Sequence, residues 1–463
     1  MCGIVGYVGD RIATPMLLEG LKRLEYRGYD SAGVAIMNGE GVETRRAAGK
    51  IARLEAAIAK DPPQGTMGIA HTRWATHGPP TEKNAHPHAS QNGKIAVVHN
   101  GIIENFRVLK EELTDDGAVF NTQTDTEVVA QLLSREMRRG SAPRQAVKAV
   151  LARLQGAFAL AMLFKGENDL LIAARNGPQL AIGHGHGEMF VGSDAIALSP
   201  FTNRITYLED GDWAVLTHNS VEIYDLEGKP VQRAMIFSQA STMLVDKGNH
   251  RHFMAKEIEE QPEVIGHTLA EYIDFSERTV RVPQNLPFDF ANLDRITITA
   301  CGTASYAGLT AKYWFEKIAR LPTEVDIASE FRYREAPLPK NGLAIVISQS
   351  GETADTLSAL RSLKSVNYCG SLSICNAPES SLVRESNLVM MTRAGPEIGV
   401  ASTKAFTTQL VAMLMLVAAL GKKQQRLNEE TIAAIVAELN ALPGQVEKLL
   451  KLDAQIEIIA EDF

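Results

Sequence analysis

The sequence predicts two successive regions, a layered α+β region followed by a doubly wound α/β domain with a parallel sheet. Three observations support this fold class. The chain has 463 residues, enough for two or three domains at about 150 residues each. From residue 2 to about 242, short β-rich runs alternate with few helices. From about residue 263, apolar strands, Gly- or Ser-rich loops and helices follow one another in turn.

The composition is that of a globular protein, with 45% hydrophobic and 22% charged residues and a net charge of −8. This acidic balance gives no general attraction for nucleic acid or an anionic membrane. The first residues lack the pattern of a signal peptide, and the longest apolar run, Leu410–Leu420, is shorter than the roughly 20 residues that span a bilayer. We therefore expect a cytoplasmic protein with neither nucleic-acid nor membrane partners.

The first region, residues 2–242, contains β-rich runs and two clear helices. The helix Thr14–Leu24 has a proline in its first turn, and the helix Thr124–Arg138 opens with the acids Asp125 and Glu127. Many strands with few helices predict stacked sheets covered by helices. The predicted strands are Ile4–Val8, Gly33–Met37, Ile95–His99, Phe158–Phe164, Leu170–Ala174 and Met189–Gly192.

The second region begins after a polar, charged stretch that we interpret as a linker, residues 243–262. Residues 263–428 form the predicted α/β domain, whose strands are apolar on both faces, as in a parallel sheet between helix layers. Residues 429–463 are predicted to be a helical connector, interrupted near Pro443-Gly444. The predicted strands of this domain are Ile296–Ala300, Leu343–Ser348, Ser371–Cys375 and Leu388–Thr392.

Cys2 is a candidate nucleophile because it follows Met1 directly, and a small second residue permits removal of the initiator methionine. Removal would leave a thiol and a free α-amine on one residue. An α-amine has a pKa of about 7.7–8.0, so at neutral pH it can take the proton of its own thiol. Gly3 and Gly6 surround a short predicted strand, and we expect that strand to set Cys2 at a sheet edge.

The run that starts at Cys2 resembles the beginning of the class II glutamine amidotransferases, whose four-layer αββα glutaminase domains are N-terminal-nucleophile hydrolases. Within that family the chain is most similar to the aminotransferases that make glucosamine-6-phosphate from L-glutamine and fructose-6-phosphate, the first step of hexosamine synthesis. The resemblance covers essentially the whole chain. The motifs that carry it are Cys2–Gly6, Leu24–Gly33, His71–Gly78, Asn84–His88, His99–Asn105 and Thr124–Val128.

Glutamine hydrolysis needs a nucleophile, an oxyanion hole and a clamp for the amino-acid end of the substrate. Cys2 is the candidate nucleophile, and Asn100 with the Gly101 N–H is the candidate oxyanion hole, at a predicted tight Asn-Gly turn. Arg73 can pair with the α-carboxylate and Asp125 with the α-ammonium group.

The resemblance implies further residues of the glutamine pocket, and each has a purely structural alternative. Asn-Gly is also an ordinary hairpin turn, and Asp125 is also a suitable helix N-cap. Arg27 is expected at the glutamine site, or only as a brace for it. By resemblance the pocket is completed by Thr76 and His77, with Trp74 on a loop that closes over glutamine and gates ammonia.

Five histidines in the first region raise the question of a metal site. None stands with a carboxylate or cysteine at a zinc-like spacing, and the family uses no metal in this domain. We therefore expect neither metal nor cofactor. The five are His71, His77, His86, His88 and His99.

The second region carries a candidate phosphate site in Ser348–Thr353, where hydroxyls and a glycine follow a strand and open a helix. A hydroxyl-rich loop of this kind is also a common helix cap. The loop resembles the SIS (sugar isomerase) fold, which binds phosphosugars. By that resemblance the sugar-phosphate residues are Thr303, Ser348, Gln349, Ser350 and Thr353, with Val400 and Ser402 nearby.

One position departs from the SIS pattern, because Ala304 stands where the family has a serine and Ser305 follows one place later. Ser305 is therefore included as a candidate substitute. Cys301 is expected to be a small, partly buried residue of the same loop, and Cys369 and Cys375 are expected to be core residues.

The resemblance also implies a second SIS half, which supplies a glutamate and a histidine to the isomerase reaction, and a C-terminal tail, which supplies a lysine. The sequence up to Phe463 has no counterpart to them, so we expect this chain to retain only the glutaminase half-reaction and half of the sugar site. A homodimer is expected for the longer protein. The alternative hypothesis is a phosphosugar-sensing SIS regulator without catalysis, which would release no glutamate from glutamine.

Overall fold

The computed structural model describes residues 2–38, 41–238, 247–281, 287–338, 341–365 and 370–462. The chain divides into two compact units, unit 1 (Met1–Leu244) and unit 2 (Val245–Phe463). Residue Cys369 lies outside the described residues, so the expectation that it is a core residue is not addressed by the structure.

Unit 1 contains two antiparallel sheets. Its strands are β1 (Gly3–Gly9), β2 (Ser31–Asn38), β3 (Gly41–Ala48), β4 (Met67–Arg73), β5 (His88–Ala89), β6 (Ile95–Ile103), β7 (Gly156–Phe164), β8 (Leu171–Asn176), β9 (Ala181–His184), β10 (Glu188–Gly192), β11 (Arg204–Tyr207), β12 (Trp213–Leu216), β13 (Val221–Tyr224) and β14 (Met235–Phe237). One sheet has the order β14-β11-β9-β10-β1-β4-β2-β3, and the other has the order β13-β12-β8-β7-β6-β5.

Helices cover the outer face of each sheet. Leu17 and Leu21 of the first helix pack on the larger sheet, Val129 and Leu133 of the fourth pack on the smaller one, and Ile4 lies in the core between the sheets. These four layers confirm the predicted αββα arrangement. The helices are α1 (Ala13–Arg23), α2 (Ile51–Lys60), α3 (Phe106–Asp115), α4 (Glu127–Arg138), α5 (Pro143–Leu151) and α6 (Ala195–Leu198).

Two local predictions for unit 1 are wrong. Strand β1 is an interior strand between β10 and β4, so Cys2 lies at the end of a central strand and not at a sheet edge. Asn100 and Gly101 do not form a hairpin turn, because they continue β6 and pair with β7. Gly101 has φ +122, and a Cβ there would lie 2.0 Å from the Ala157 carbonyl oxygen, so the position requires glycine.

Unit 2 is built on a parallel sheet. Its strands are β15 (Ile273–Asp274), β16 (Thr279–Val280), β17 (Arg295–Ala300), β18 (Thr323–Ile327), β19 (Gly342–Ser348), β20 (Gly370–Cys375) and β21 (Leu388–Met391). Its helices are α7 (Phe253–Glu259), α8 (Gln261–Tyr272), α9 (Thr303–Lys317), α10 (Ala328–Arg334), α11 (Ala354–Ser365), α12 (Ser381–Glu385), α13 (Lys404–Lys423), α14 (Glu429–Leu450) and α15 (Asp453–Ala460).

The parallel sheet has the order β18-β17-β19-β20-β21, which confirms the predicted doubly wound domain. Ile298 and Ile345 pack towards α13 on one face, and Val346 packs with Leu360 of α11 on the other. Helix α13 is long and apolar enough to cross a membrane, yet 78% of its apolar window is buried within the protein, as expected of a core helix. The sequence reading missed β18, whose residues are mostly half-buried.

The predicted helix interruption near Pro443-Gly444 is wrong, because α14 runs through both residues to Leu450. The missing N–H of a helical proline leaves one carbonyl without its partner. Leu442 and Val446, on either side of Pro443, pack against the core of unit 2, so burial of this face keeps the helix continuous. Its buried residues include Ile432 and Val436, which join the core of unit 2.

Candidate active site

Cys2 is half-buried at the start of β1, where its sulfur contacts the residue that follows β4. The Trp74 N–H donates to the sulfur at 3.2 Å, and the thiol lies 3.6 Å from the Trp74 carbonyl oxygen. Burial raises the pKa of the thiol, and the Trp74 N–H and the nearby Arg73 charge oppose that shift. A backbone donor is therefore already aimed at the atom that would carry the negative charge.

Asn100 lies on β6 of the other sheet and comes close to the backbone of Cys2. Its side-chain nitrogen lies 3.5 Å from the Cys2 carbonyl oxygen and donates to Ser193 Oγ at 3.0 Å. Its side-chain oxygen lies 2.8 Å from His71 Nε2. The Ser193 hydroxyl also accepts the Ile4 N–H at 2.7 Å. The two sheets thus meet at an amide that is 5% exposed and bonded at both ends.

Arg27 pairs with a carboxylate within unit 1. Its Nη2 lies 2.7 Å from Asp194 Oδ2, and its Nη1 lies 3.4 Å from the Cys2 carbonyl oxygen. Asp194 in turn accepts the Ala197 N–H and begins α6. The guanidinium of Arg27 therefore contacts both the backbone of Cys2 and the buried Asp194 carboxylate, as expected of a residue that braces the site.

Arg73 is 3% exposed and holds the loop that follows β4. Its Nη2 donates to the carbonyls of His77 and, at 3.4 Å, Gly78, and its Nη1 lies 3.5 Å from the Pro79 carbonyl. Burial lowers the pKa of Arg73, while charges including Cys2 and Asp125 oppose that shift. A substrate carboxylate would have to replace these carbonyl partners.

The loop itself is open to solvent. Trp74 is 46% exposed and Thr76 is exposed, whereas His77 is half-buried with its ring edge on Phe106 at 5.2 Å. His77 Nδ1 lies 3.3 Å from Thr76 Oγ1. Asp30, which the sequence reading did not select, accepts the Ala75 N–H and so joins this loop to the start of β2.

Asp125 is 4% exposed and lies just before α4, whose first residue is Glu127 and not Thr124 as predicted. Its Oδ2 accepts the Ile103 N–H at 2.8 Å, so the carboxylate is tied to the end of β6 and does not cap the helix. His99 Nδ1 lies 3.8 Å from the same oxygen. The acid therefore sits beside the strand that carries Asn100.

Four histidines form a buried row behind these residues. His86 has its ring centroid 4.3 Å from that of His71 and 4.5 Å from that of His88. Burial lowers the pKa of His71 to about 3 and lowers the pKa of His86, His88 and His99 below their ordinary value. Their ring nitrogens bind threonine and asparagine side chains. Among the described residues no cluster of His, Cys, Asp or Glu is arranged to hold a metal ion.

The candidate phosphate loop of unit 2 follows β19. Ser348 Oγ accepts the Gly351 N–H at 3.0 Å and lies 3.2 Å from Thr353 Oγ1, and Ser350 Oγ accepts the Glu352 N–H at 3.2 Å. Gly351 has φ +66, and a Cβ there would lie 2.0 Å from Ser380 Oγ. The hydroxyls and N–H groups of this loop thus lie close to one another immediately before α11.

The loop at residues 301–303 follows β17, the neighbour of β19. In a doubly wound sheet of this order, ligands bind beyond the carboxyl ends of these two strands, where the direction of winding reverses. Gly302 has φ +57 and precedes Thr303, the first residue of α9. Ser305 is 7% exposed and its hydroxyl donates to the Gly302 carbonyl at 2.6 Å, so that hydroxyl is used within the loop.

Val400 and Ser402 lie on a segment between β21 and α13, where the segment is fixed by buried acids. Val400 is 89% exposed, and Ser402 Oγ donates to Glu397 at 3.1 Å. Glu397 also accepts the Thr403 N–H at 2.9 Å. Glu257 of α7 accepts the N–H groups of residues 398 and 399. Helix α7, within the residues predicted as a linker, thus forms part of unit 2.

Comparisons with known proteins identify both units. Residues 71–200 match the family described as Glutamine amidotransferase domain, and residues 289–419 match the SIS domain. The glutamine–fructose-6-phosphate aminotransferase (isomerizing) of Bradyrhizobium diazoefficiens is 59% identical over 463 residues, covering 100% of this chain and 76% of the relative. That of Mesorhizobium japonicum is 56% identical over 468 residues, with the same two coverages, 100% and 76%.

The chain belongs to the glutamine–fructose-6-phosphate aminotransferase (isomerizing) family. The resemblance drawn from the motifs is thereby confirmed. Among solved structures, the C-terminal domain of glucosamine-fructose-6-phosphate aminotransferase from Francisella tularensis is similar, with 46% identity, a TM-score of 0.46, and coverage of 47% of this chain and 61% of that one.

Within this family framework, the sequence reading missed several residues that hold the candidate site. The sequence identifies His71 only as the start of the motif His71–Gly78 and as one of five histidines, and no pattern in it singles out Ser193, Asp194, Glu257 or Glu397. No local pattern marks most of them, because they act on residues far away in the sequence: Ser193 on Asn100, and Glu257 on Ile398. Glu397 is the exception, since it bonds Ser402 and Thr403. Only pairing of distant strands and helices brings these groups together.

Proposed function

We propose that this chain hydrolyses L-glutamine at Cys2 and binds fructose-6-phosphate in unit 2, which together are the glutaminase half-reaction and half of the sugar site of a glutamine–fructose-6-phosphate aminotransferase. The observation that supports the first part most directly is the meeting of Cys2 with Asn100. The Asn100 side-chain nitrogen lies 3.5 Å from the Cys2 carbonyl oxygen, and the Trp74 N–H lies 3.2 Å from the sulfur. The residue that carries the nucleophile and an amide donor are thus adjacent.

The proposed reaction begins with attack of the Cys2 sulfur on the side-chain amide carbon of glutamine. The thiol proton passes to the α-amine that removal of Met1 exposes. The carbonyl oxygen becomes an oxyanion, which Asn100 Nδ2 and the Gly101 N–H stabilise. Collapse breaks the C–N bond, the leaving nitrogen takes a proton and departs as ammonia, and water then hydrolyses the thioester to glutamate and free Cys2.

The α-ammonium and α-carboxylate groups of glutamine would each be bound by a side chain of opposite charge. Asp125, a buried carboxylate beside β6, suits the α-ammonium group. Arg73 suits the α-carboxylate, provided that its present partners, the carbonyls of residues 77–79, give way. Binding would therefore rearrange the loop that carries Trp74, Thr76 and His77, consistent with the resemblance that assigns this loop to closure over glutamine.

The sugar phosphate would bind at the loops that follow β17 and β19. Ser350 and Thr353 offer hydroxyls, and the N–H groups before α11 offer donors at a helix N-terminus, an arrangement suited to an anion. Thr303, Ser348 and Gln349 belong to the same two loops, with Val400 and Ser402 on the segment before α13. Ser305 is the weaker candidate, because its hydroxyl donates to Gly302.

The direct test is to incubate the purified chain with glutamine and measure glutamate and ammonia, after mass spectrometry has verified removal of Met1. Glutamate release is expected without sugar. A glutamine analogue bearing a diazoketone should alkylate Cys2 alone, and peptide mapping identifies the modified residue. Calorimetry with fructose-6-phosphate tests the second half-site. A chain that binds the sugar phosphate but releases no glutamate would instead be the sensing regulator.

A further inference from the structure

The Asn100 carboxamide is fixed from both ends by the side chains of two other residues, His71 and Ser193. His71 Nε2 lies 2.8 Å from Asn100 Oδ1, and Ser193 Oγ lies 3.0 Å from Asn100 Nδ2. His71 and Ser193 are each 0% exposed. An oxyanion donor that is locked in place costs no reorganisation during the reaction, so the groups that lock it matter to the rate.

The surroundings determine which end of the amide is the donor. The atom nearer Cys2 lies 3.5 Å from the Cys2 carbonyl oxygen, which can only accept a hydrogen bond. That atom must therefore be the nitrogen. The opposite atom is then the amide oxygen, which also only accepts, so the ring nitrogen 2.8 Å away, His71 Nε2, must carry a hydrogen.

The protonation of His71 follows from its burial. The Nδ1 atom is buried and has no well-aligned hydrogen-bond partner among the described residues. Burial lowers the pKa of His71 to about 3; the charges of His99 and Arg73 act in the same direction, whereas hydrogen bonding to the Asn100 side chain and the His99 backbone opposes the shift. The ring is thus neutral, and the Asn100 amide oxygen 2.8 Å from Nε2 assigns its single hydrogen to that atom.

Ser193 alone does not define the orientation of the amide. Its hydroxyl already accepts the Ile4 N–H at 2.7 Å, but a hydroxyl can either donate or accept. A flipped Asn100 would accept from Ser193 and turn its oxygen towards Cys2. An oxygen at that point repels an oxyanion, whereas a nitrogen stabilises it. The side chain that distinguishes the two orientations is the one with a fixed donor, His71.

We propose that His71 is a positioning residue for glutamine hydrolysis, whose Nε2–H holds the Asn100 amide so that Nδ2 faces the oxyanion. This inference rests on the proposed glutaminase function. His71 acts through Asn100 and touches neither substrate nor Cys2, so its role concerns the transition state and leaves glutamine binding unchanged.

The kinetic test compares His71→Phe, His71→Gln and Asn100→Ala in the full chain. His71→Phe keeps a flat ring but has no donor, and we expect kcat for glutamate release to fall about 100-fold, near the loss typical for one oxyanion donor. The KM for glutamine should change less than about twofold. His71→Gln, whose amide can still donate, should recover to within about tenfold of wild type.

A double-mutant cycle separates positioning from general damage to the fold. If His71 acts only through Asn100, then His71→Phe should lower kcat by less than about twofold when Asn100→Ala is already present. A further loss of about 100-fold in that background would overturn the proposal, as would an unchanged kcat in His71→Phe alone.

A spectroscopic measurement on the unmodified chain keeps the test valid even if the variants fail to fold. Nitrogen-15 NMR of ring-labelled histidine should show His71 neutral, with the hydrogen on Nε2 and a bare Nδ1, from pH 8 down to pH 5. A hydrogen on Nδ1 would overturn the proposal. Failure of the proposed function looks different, since the wild-type chain would then release no glutamate whatever the tautomer.

Discussion

The two units hold their candidate sites in opposite ways. In unit 1 the site is assembled from both sheets and two loops, and buried side chains such as His71 and Ser193 fix the groups that would react. In unit 2 the candidate site lies on two loops at neighbouring strand ends, where Ser348 accepts the Gly351 N–H within one loop, and on the segment before α13, which Glu257 of α7 holds. The candidate nucleophile is held mainly by long-range contacts, whereas the candidate phosphate loop is held mainly by contacts between near neighbours in the chain.

The difference reflects what each site must do. Binding an anion needs several donors in a concave backbone, which one turn before a helix can provide. Breaking an amide bond needs a nucleophile and donors set to the geometry of a transition state, which only a rigid, dry environment provides. The buried row of histidines and Asp125 supplies that environment in unit 1.

The largest expected effect concerns the nucleophile of unit 1. Cys2→Ala should lower glutamate release by at least about 10⁴-fold, since nothing else can form the thioester. Cys301→Ala and Cys375→Ala are the matched controls and should keep most of the activity. Retention of Met1 should also inactivate the chain, because an acylated nitrogen is not a base. An active Cys2→Ala variant, measured as glutamate released, would contradict the assignment.

The next largest effect concerns how the free energy of unfolding of each unit changes with pH. The pKa of His71 is lowered to about 3 in the folded chain, so below pH 6.5 the unfolded chain binds the extra proton and stability is lost as the pH falls towards 3. At pH 5 this costs about 2 kcal/mol relative to pH 8 for His71, and His86 and His88 add to it. The histidines described in unit 2 are not buried, so unit 2 should lose less.

Urea unfolding followed by tryptophan fluorescence separates the two units. Trp74 and Trp213 report on unit 1, and Trp314 reports on unit 2. A variant that keeps only the tryptophans of one unit therefore reports the unfolding transition of that unit alone. Equal shifts of both transitions between pH 8 and pH 5 would contradict the comparison.

A smaller effect concerns the phosphate loop. Ser350→Ala and Thr353→Ala should each weaken fructose-6-phosphate binding by about 1–2 kcal/mol, through lost hydrogen bonds to a charged group. Glutamate release without sugar should hardly change, because these residues belong to unit 2. Calorimetry and the glutaminase assay measure the two effects separately. Equal losses in both would mean that the residues are structural.

The smallest effect distinguishes Ser305 from those hydroxyls. Ser305 donates to the Gly302 carbonyl at 2.6 Å, so Ser305→Ala should lower the free energy of unfolding of unit 2 by about 1 kcal/mol. Sugar-phosphate binding should weaken by less than in Ser350→Ala. A larger loss of binding than in Ser350→Ala, measured by the same calorimetry, would show that Ser305 replaces the family serine absent at Ala304.

Much of the fold followed from local pattern. The runs 296–300 and 343–348 consist of aliphatic and small hydroxyl residues, are buried throughout and lie in a parallel sheet, as their composition predicts. The helix predicted over 14–24 is α1, because its leucines recur at helical spacing. Strand β18 was missed because an edge strand with half-buried residues has no strong apolar signal.

Errors arose where long-range contacts override a local preference. Asn-Gly favours a hairpin turn, yet pairing with β7 keeps Asn100 and Gly101 in an extended strand. Pro443 favours a helix end, yet α14 continues, since its apolar face packs into the core of unit 2. Local preferences of about 1–3 kcal/mol are outweighed when the alternative exposes a buried face.

The sequence alone determined the fold classes and the family, and it identified the candidate nucleophile Cys2 and the candidate phosphate loop at 348–353, because these depend on residues that are close together in the chain. Only the tertiary structure decided that Cys2 ends a central strand, that Arg27 pairs with Asp194, and that His71 holds Asn100. These contacts join residues that are tens to hundreds of positions apart. Their geometry arises when two sheets pack face to face and exclude water, which no local pattern records.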